Sequence, residues 1–170
     1  MKFKSILNKS LMVFGILLIL IQFVGTEKNE SDIKTNSIAN KYAIPNNIQL
    51  ILTTACYDCH SNKTIYPWYA KLQPVAWWLN DHIVEGKSKF NFDEFTSYPL
   101  YRQYHKLEEV VEEVEEGEMP LSSYTIIHRN ANLTDGQKTE LINWVKGIRT
   151  TMETTYPADS LINPKKRKQS

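Results

Sequence analysis

The chain has 170 residues, with 20 Lys and Arg against 19 Asp and Glu for a net charge of +1, and 42% of its residues are hydrophobic. That length makes one domain with appendages, and a charge so near zero excludes the broad basic field of a nucleic-acid binder. Four Trp and nine Tyr supply flat side chains of the kind that wall a large planar ligand.

Lys2, Lys4 and Lys9 precede an almost purely apolar run over 11–25, broken only by Gln22. A basic stretch followed by an apolar one is an export signal. No small-x-small cleavage site stands before Thr26, and no cysteine is there to carry a lipid. With residues 6–10 included, the run approaches the ~20 residues of a membrane span, and its lysines mark the inner flank. Residues 1–25 are therefore expected to form an uncleaved signal-anchor helix that places the rest of the chain on the periplasmic side of the inner membrane. Residues 26–45 are polar, too poor in apolar side chains to order themselves, and read as a flexible tether.

A helix is expected from Pro45-Asn46-Asn47, with an Asn as its cap. Ile48, Ile51, Leu52 and Ala55 then recur at helical spacing and lead into Cys56-Tyr57-Asp58-Cys59-His60, which holds both cysteines of the chain. C-x-x-C-H reads as a site of covalent c-type haem attachment. On a helical turn, positions i, i+3 and i+4 share a face. Two thiols there reach the two vinyl groups on one porphyrin edge, and the imidazole of His60 reaches the iron as proximal ligand. The competing readings are weaker. A disulfide across two residues closes a tiny, strained loop. A thioredoxin-type C-x-x-C needs a strand–helix–strand setting, and a zinc site needs a fourth ligand.

Beyond the motif, Pro67 punctuates a loop, and a second helix is expected to open at Pro74. Val75, Trp78, Leu79, His82 and Ile83 form its apolar face, and Gly86 is read as its stop. His82 on that face is a rival axial ligand, although a hydrogen-bonded core histidine is the commoner outcome. Phe90, Phe92 and Phe95 are expected over the ligand or the core. A third helix runs from about Pro99 to Glu116, with Leu107, Val110, Val111 and Val114 inside. Its many glutamates read as a solvated face, with docking of a basic partner as the other reading. Met119, in Gly117-Glu118-Met119-Pro120, sits in a turn, where core packing explains it poorly. Its soft thioether suits haem iron, and a Met/His pair raises the reduction potential. Thr134-Asp135-Gly136-Gln137 has the form of a capping box and opens a last helix with Leu141, Trp144, Val145 and Ile148 on its inner face. His128, just upstream, is the third rival for the distal position. Residues 151–170 read as a basic disordered tail ending in Lys165-Lys166-Arg167-Lys168.

The order of these motifs is familiar. The sequence resembles c-type cytochromes and, more narrowly, the small bacterial haem-binding domain family. The match lies in Cys56-x-x-Cys59-His60-Ser61-Asn62, Tyr66-Pro67-Trp68-Tyr69, the Pro74–Val75 helix bearing Trp78, and Gly117-x-Met119-Pro120. The resemblance covers about residues 46–150. It implies one covalently bound haem c, with iron held by His60 and Met119, and an all-α, cytochrome c-like domain of three or four helices. Trp68, Tyr69 and Trp78 are expected to wall the porphyrin. The implied function is that of a monohaem, membrane-tethered single-electron carrier serving exported redox partner proteins, without catalytic residues. The alternative is a haem-based sensor or small-ligand-binding module with an open or weakly held distal site. Peroxidase-type catalysis lacks an evident distal Arg–His pair.

Overall fold

A computed structural model describes residues 2–167, and no strand forms among them beyond an isolated antiparallel bridge between Glu30 and Lys63. The helices are α1 (Lys2–Ile21), α2 (Asn46–Ala55), α3 (Tyr57–His60), α4 (Val75–Lys89), α5 (Leu100–Glu116), α6 (Ser122–Thr125), α7 (Asp135–Thr155) and α8 (Pro164–Arg167). The all-α expectation holds for these residues.

The core follows from helical periodicity. Leu107, Val111 and Val114 of α5 meet Leu141, Val145, Ile148 and Met152 of α7, and α5 packs along α7. Spacings of three and four put each set on one stripe, and burying it supplies most of the helices' stability. Ile48, Ile51 and Leu52 of α2 join this core with Phe90, Phe92 and Phe95. The capping box is present, with the Gln137 amide on Thr134 Oγ1 at 3.2 Å and the Thr134 amide on Gln137 Oε1 at 2.9 Å. Gly117 ends α5 at φ 79°, a left-handed conformation that favours glycine.

Several expectations change. Pro45, not an Asn side chain, stands at the head of α2, and no side chain caps it. Gly86 does not stop the second helix, which continues through it to Lys89. The buried face of α4 is Ala76, Leu79 and Ile83, while Val75 and Trp78 are exposed. A helix tolerates one internal glycine at roughly 1 kcal/mol, so composition alone does not end it.

The N-terminal segment is helical, but among the described residues no helix is long and apolar enough to cross a membrane. The lysines fall within α1 itself, so its uncharged apolar part, 11–21, spans about 16 Å at ~1.5 Å per residue, roughly half of a bilayer's hydrocarbon core. The spanning anchor expected over 1–25 is therefore not found. Gln22 at the end of α1 is fixed to the domain, accepting from the Gln73 amide at 2.9 Å and donating to the Gln73 carbonyl at 3.1 Å.

The stretch read as a tether packs against the domain. Ile38 is completely buried in the core, and Asn29 bonds Ser61 and Thr64. One apolar residue in a polar run is enough when a cleft receives it. Ile38→Ala is accordingly expected to cost about 2–5 kcal/mol, read as a lowered midpoint in urea unfolding; an unchanged midpoint contradicts the packing. The tail is also shorter than expected, because α7 runs to Thr155 with Met152 buried, and Leu161 is buried beyond it. The last residues of the basic cluster, from Lys168 on, lie outside the described residues.

Candidate functional site

Helix α2 breaks at Cys56, whose amide still bonds the Leu52 carbonyl at 3.0 Å. The single turn α3 follows. In it the amides of Cys59 and His60 both donate to the Cys56 carbonyl, at 3.2 and 2.9 Å, which folds the two thiols and the imidazole into one tight turn. Both cysteines are free thiols. Burial pushes the Cys56 thiol up to about 12 and the Cys59 thiol up to about 11, with the charge of Cys59 adding to the effect at Cys56 and that of Asp58 at Cys59. Only the thiolate is nucleophilic. In the haem-free state, iodoacetamide at pH 8 is thus expected to alkylate the folded chain at least roughly a hundredfold more slowly than the unfolded chain, where the pKa is about 8.5. The rate should climb as pH rises toward 11; equal rates in both states, followed by mass spectrometry, contradict this.

The His60 ring is held from behind. Its Nδ1 lies 2.9 Å from the Phe90 carbonyl, which accepts only, so Nδ1 carries the proton and Nε2 is left as a lone-pair donor. This is the arrangement that orients a metal-binding histidine. Burial lowers its pKa, opposed by backbone hydrogen bonds to Phe90 and Gly86 and by the charge of Glu113. The loop after it is locked as well. Asn62 donates to the Ile33 carbonyl and to Glu94, each at 2.8 Å, and receives Asn91 Nδ2 at 2.8 Å. The Asn62 amide bonds Asp93 Oδ2 at 3.0 Å. The side chain of Asn62 therefore ties the end of the C-x-x-C-H turn to the segment that presents the Phe90 carbonyl.

Helix α4 approaches this turn closely at Gly86, where an added Cβ would stand 3.0 Å from the Cys59 carbonyl oxygen and 3.4 Å from His60 Cε1. Glycine here is a contact point, which the sequence pattern presents as a helix stop.

Cys56, Cys59, His60 and Met119 line one cavity of about 540 Å³. Its walls include Leu52, Phe90, Phe92, Val110 and Leu141. Met119 is placed by the glycine turn that ends α5, and its amide bonds the Glu113 carbonyl at 3.1 Å. The volume falls in the range of cofactor pockets, and an apolar lining with few polar groups is their usual character. Two thiols, one free imidazole nitrogen, one thioether and apolar walls are a donor set that fits haem. Glu85, Lys89, Lys106, Glu109 and Glu113 add charge to the lining, so part of the acidic face of α5 belongs to this cavity.

Phe90, Phe92 and Phe95 lie in the core as expected, but the expected wall of Trp68, Tyr69 and Trp78 does not form. Trp68 is 75% and Trp78 is 45% exposed; neither they nor Tyr69 lines the cavity. The cavity's aromatic residues are instead Phe90, Phe92 and Tyr124. His82 does line it, with Nδ1 2.8 Å from the Trp78 carbonyl. His128 does not; its Nε2 lies 2.6 Å from the Tyr69 hydroxyl, and its ring stacks on Tyr124. Two contributors escaped the sequence reading. Tyr124 donates its hydroxyl to Asp58 Oδ2 at 2.8 Å, and Asp58 also receives the Ile65 amide at 3.0 Å. Asp58 lies inside the motif, and Tyr124 opens the stretch that leads to His128; no spacing rule singles out either.

No curated protein and no solved structure matches the chain. The family described as haem-binding domain matches residues 16–147, a stretch that includes every cavity residue named above. The chain belongs to the haem-binding domain family.

Proposed function

We propose that the protein is a monohaem c-type cytochrome-like carrier of single electrons, held at the membrane by its N-terminal helix and facing the periplasm. The observation that carries this reading is the convergence of Cys56, Cys59, the free Nε2 of His60 and Met119 on one apolar cavity. Haem bound there supplies a one-electron iron couple. Cys56 and Cys59 hold it as thioethers, His60 offers Nε2, and Met119 offers its sulfur. Phe90, Phe92, Leu52 and Leu141 exclude water, and such burial with a Met/His pair favours the reduced state. Haem held by both His60 and Met119 would have no open coordination site for a substrate, which favours outer-sphere electron transfer over catalysis. The exposed apolar residues of α1 are the part of the chain suited to lipid, and an exported redox protein is the partner.

Met119→Ala tests the axial assignment. The variant is expected to show a lower reduction potential, by redox titration, and a new spectral response to carbon monoxide. An unchanged potential without that response contradicts Met119 as ligand and moves the assignment to His82, the other histidine that lines the cavity.

A further inference from the structure

We propose that Tyr124, His128, Tyr69 and Trp68 form the route by which single electrons pass between the haem cavity and the protein surface. This rests on the carrier reading above and says where its electrons cross. Tyr124 lines the cavity. Its ring lies flat on His128, with centroids 4.3 Å apart and planes 14° from parallel. His128 meets Tyr69 through the 2.6 Å hydrogen bond, their centroids 6.1 Å apart. Trp68 stands edge-on to Tyr69 at 5.9 Å and is the exposed end of the row. Residues 68–69 and 124–128, distant in sequence, thus place four rings in successive contact from the cavity wall to solvent. An exposed tryptophan in a loop buries little apolar surface, so fold stability gives no reason for its position.

Tyrosine and tryptophan are the side chains most readily oxidised by one electron. In this route the stacked Tyr124 and His128 rings bridge, and Tyr69 and Trp68 are the stations. An oxidant strong enough to oxidise an indole, such as a photogenerated ruthenium(III) complex, takes one electron from Trp68 at the surface, which is refilled from Tyr69. As Tyr69 loses its electron, its proton moves along the existing hydrogen bond to His128 Nε2. Reduced haem, when bound in the cavity, would supply the electron that restores Tyr69, and the proton would return. The net change is one electron lost by the haem and one gained by the oxidant. His82 and Trp78 make a shorter row, 4.3 Å apart, with one oxidisable ring where the first row has three.

The test uses the full haem-loaded chain carrying a photo-oxidising ruthenium polypyridyl complex on Ile65→Cys, next to the row, or on Glu112→Cys, on the exposed side of α5. With haem attached at Cys56 and Cys59, the introduced thiol is the one open to labelling. A chain that takes up no haem, read from its absorbance, overturns the carrier reading itself. With haem in place, Tyr69→Phe is expected to slow flash-induced haem oxidation from the Ile65→Cys label about tenfold, equivalent to ~1.4 kcal/mol of added barrier, and to leave the rate from the Glu112→Cys label unchanged. Trp68→Phe should act in the same way. Unchanged rates from the Ile65→Cys label, or equal slowing from both labels, overturn the route.

Discussion

Replacing Cys56 and Cys59 together by alanine is expected to abolish haem staining of the denatured chain while its helical circular dichroism persists. The two thiols are the chain's only cysteines, they form no disulfide, and both line the cavity. Their removal costs the fold little, because each is only partly buried and loses a single sulfur. What disappears is the covalent link, and haem held by side-chain ligands alone separates from the chain once it is denatured. Each single variant keeps one thioether and should retain staining. Staining of the double variant would show that the haem is held elsewhere.

Gly86→Ala has an expected sign opposite to the usual one. In an open helix, exchanging glycine for alanine gains roughly 1 kcal/mol. At Gly86 the new Cβ would stand 3.0 Å from a backbone oxygen of Cys59 and 3.2 Å from its Cβ, neither of which swings aside. Overpacking of this kind costs about 1–3 kcal/mol, and the displaced turn carries Cys59 and His60. The variant is expected to melt lower and to incorporate less haem. Gly147→Ala, in α7 with nothing within 4 Å of its added Cβ, is the matched control and should melt higher by the ordinary helix gain of about 1 kcal/mol, a few degrees for a domain of this size. Melting by circular dichroism decides it; Gly86→Ala at or above the parent temperature contradicts the contact.

What the sequence made legible was set by local spacing. Cys56, Cys59 and His60 lie within one turn, so their convergence needs no tertiary information, and Met119 stood out because a turn gives a methionine no stripe to join. The capping box at Thr134 and the stripes of α5 and α7 are likewise local patterns. The misreadings came from residues whose role is decided by what the fold brings to them. Gly86 is a point of contact between two elements, and periodicity cannot tell that from a helix end. Trp68 and Trp78 were assigned to the haem wall for their chemistry, yet Phe90, Phe92 and Tyr124 line the cavity, because three-dimensional placement overrode residue type. Ile38 looked isolated until the core received it. The glutamates of α5 read as a solvated face, but Glu109 and Glu113 line the cavity. Asn62, part of the family resemblance, gained its physical role only through Asn91 and Asp93, about thirty residues away.

The most direct test of the central claim is the absorption spectrum of the oxidised, haem-loaded chain, recorded with and without carbon monoxide. Ligation by His60 and Met119 predicts a low-spin spectrum with a weak far-red thioether-to-iron band and no change on adding carbon monoxide to the reduced protein. A high-spin spectrum that shifts with carbon monoxide would contradict the closed site, and with it the carrier, and would favour a ligand-binding haem in the same cavity.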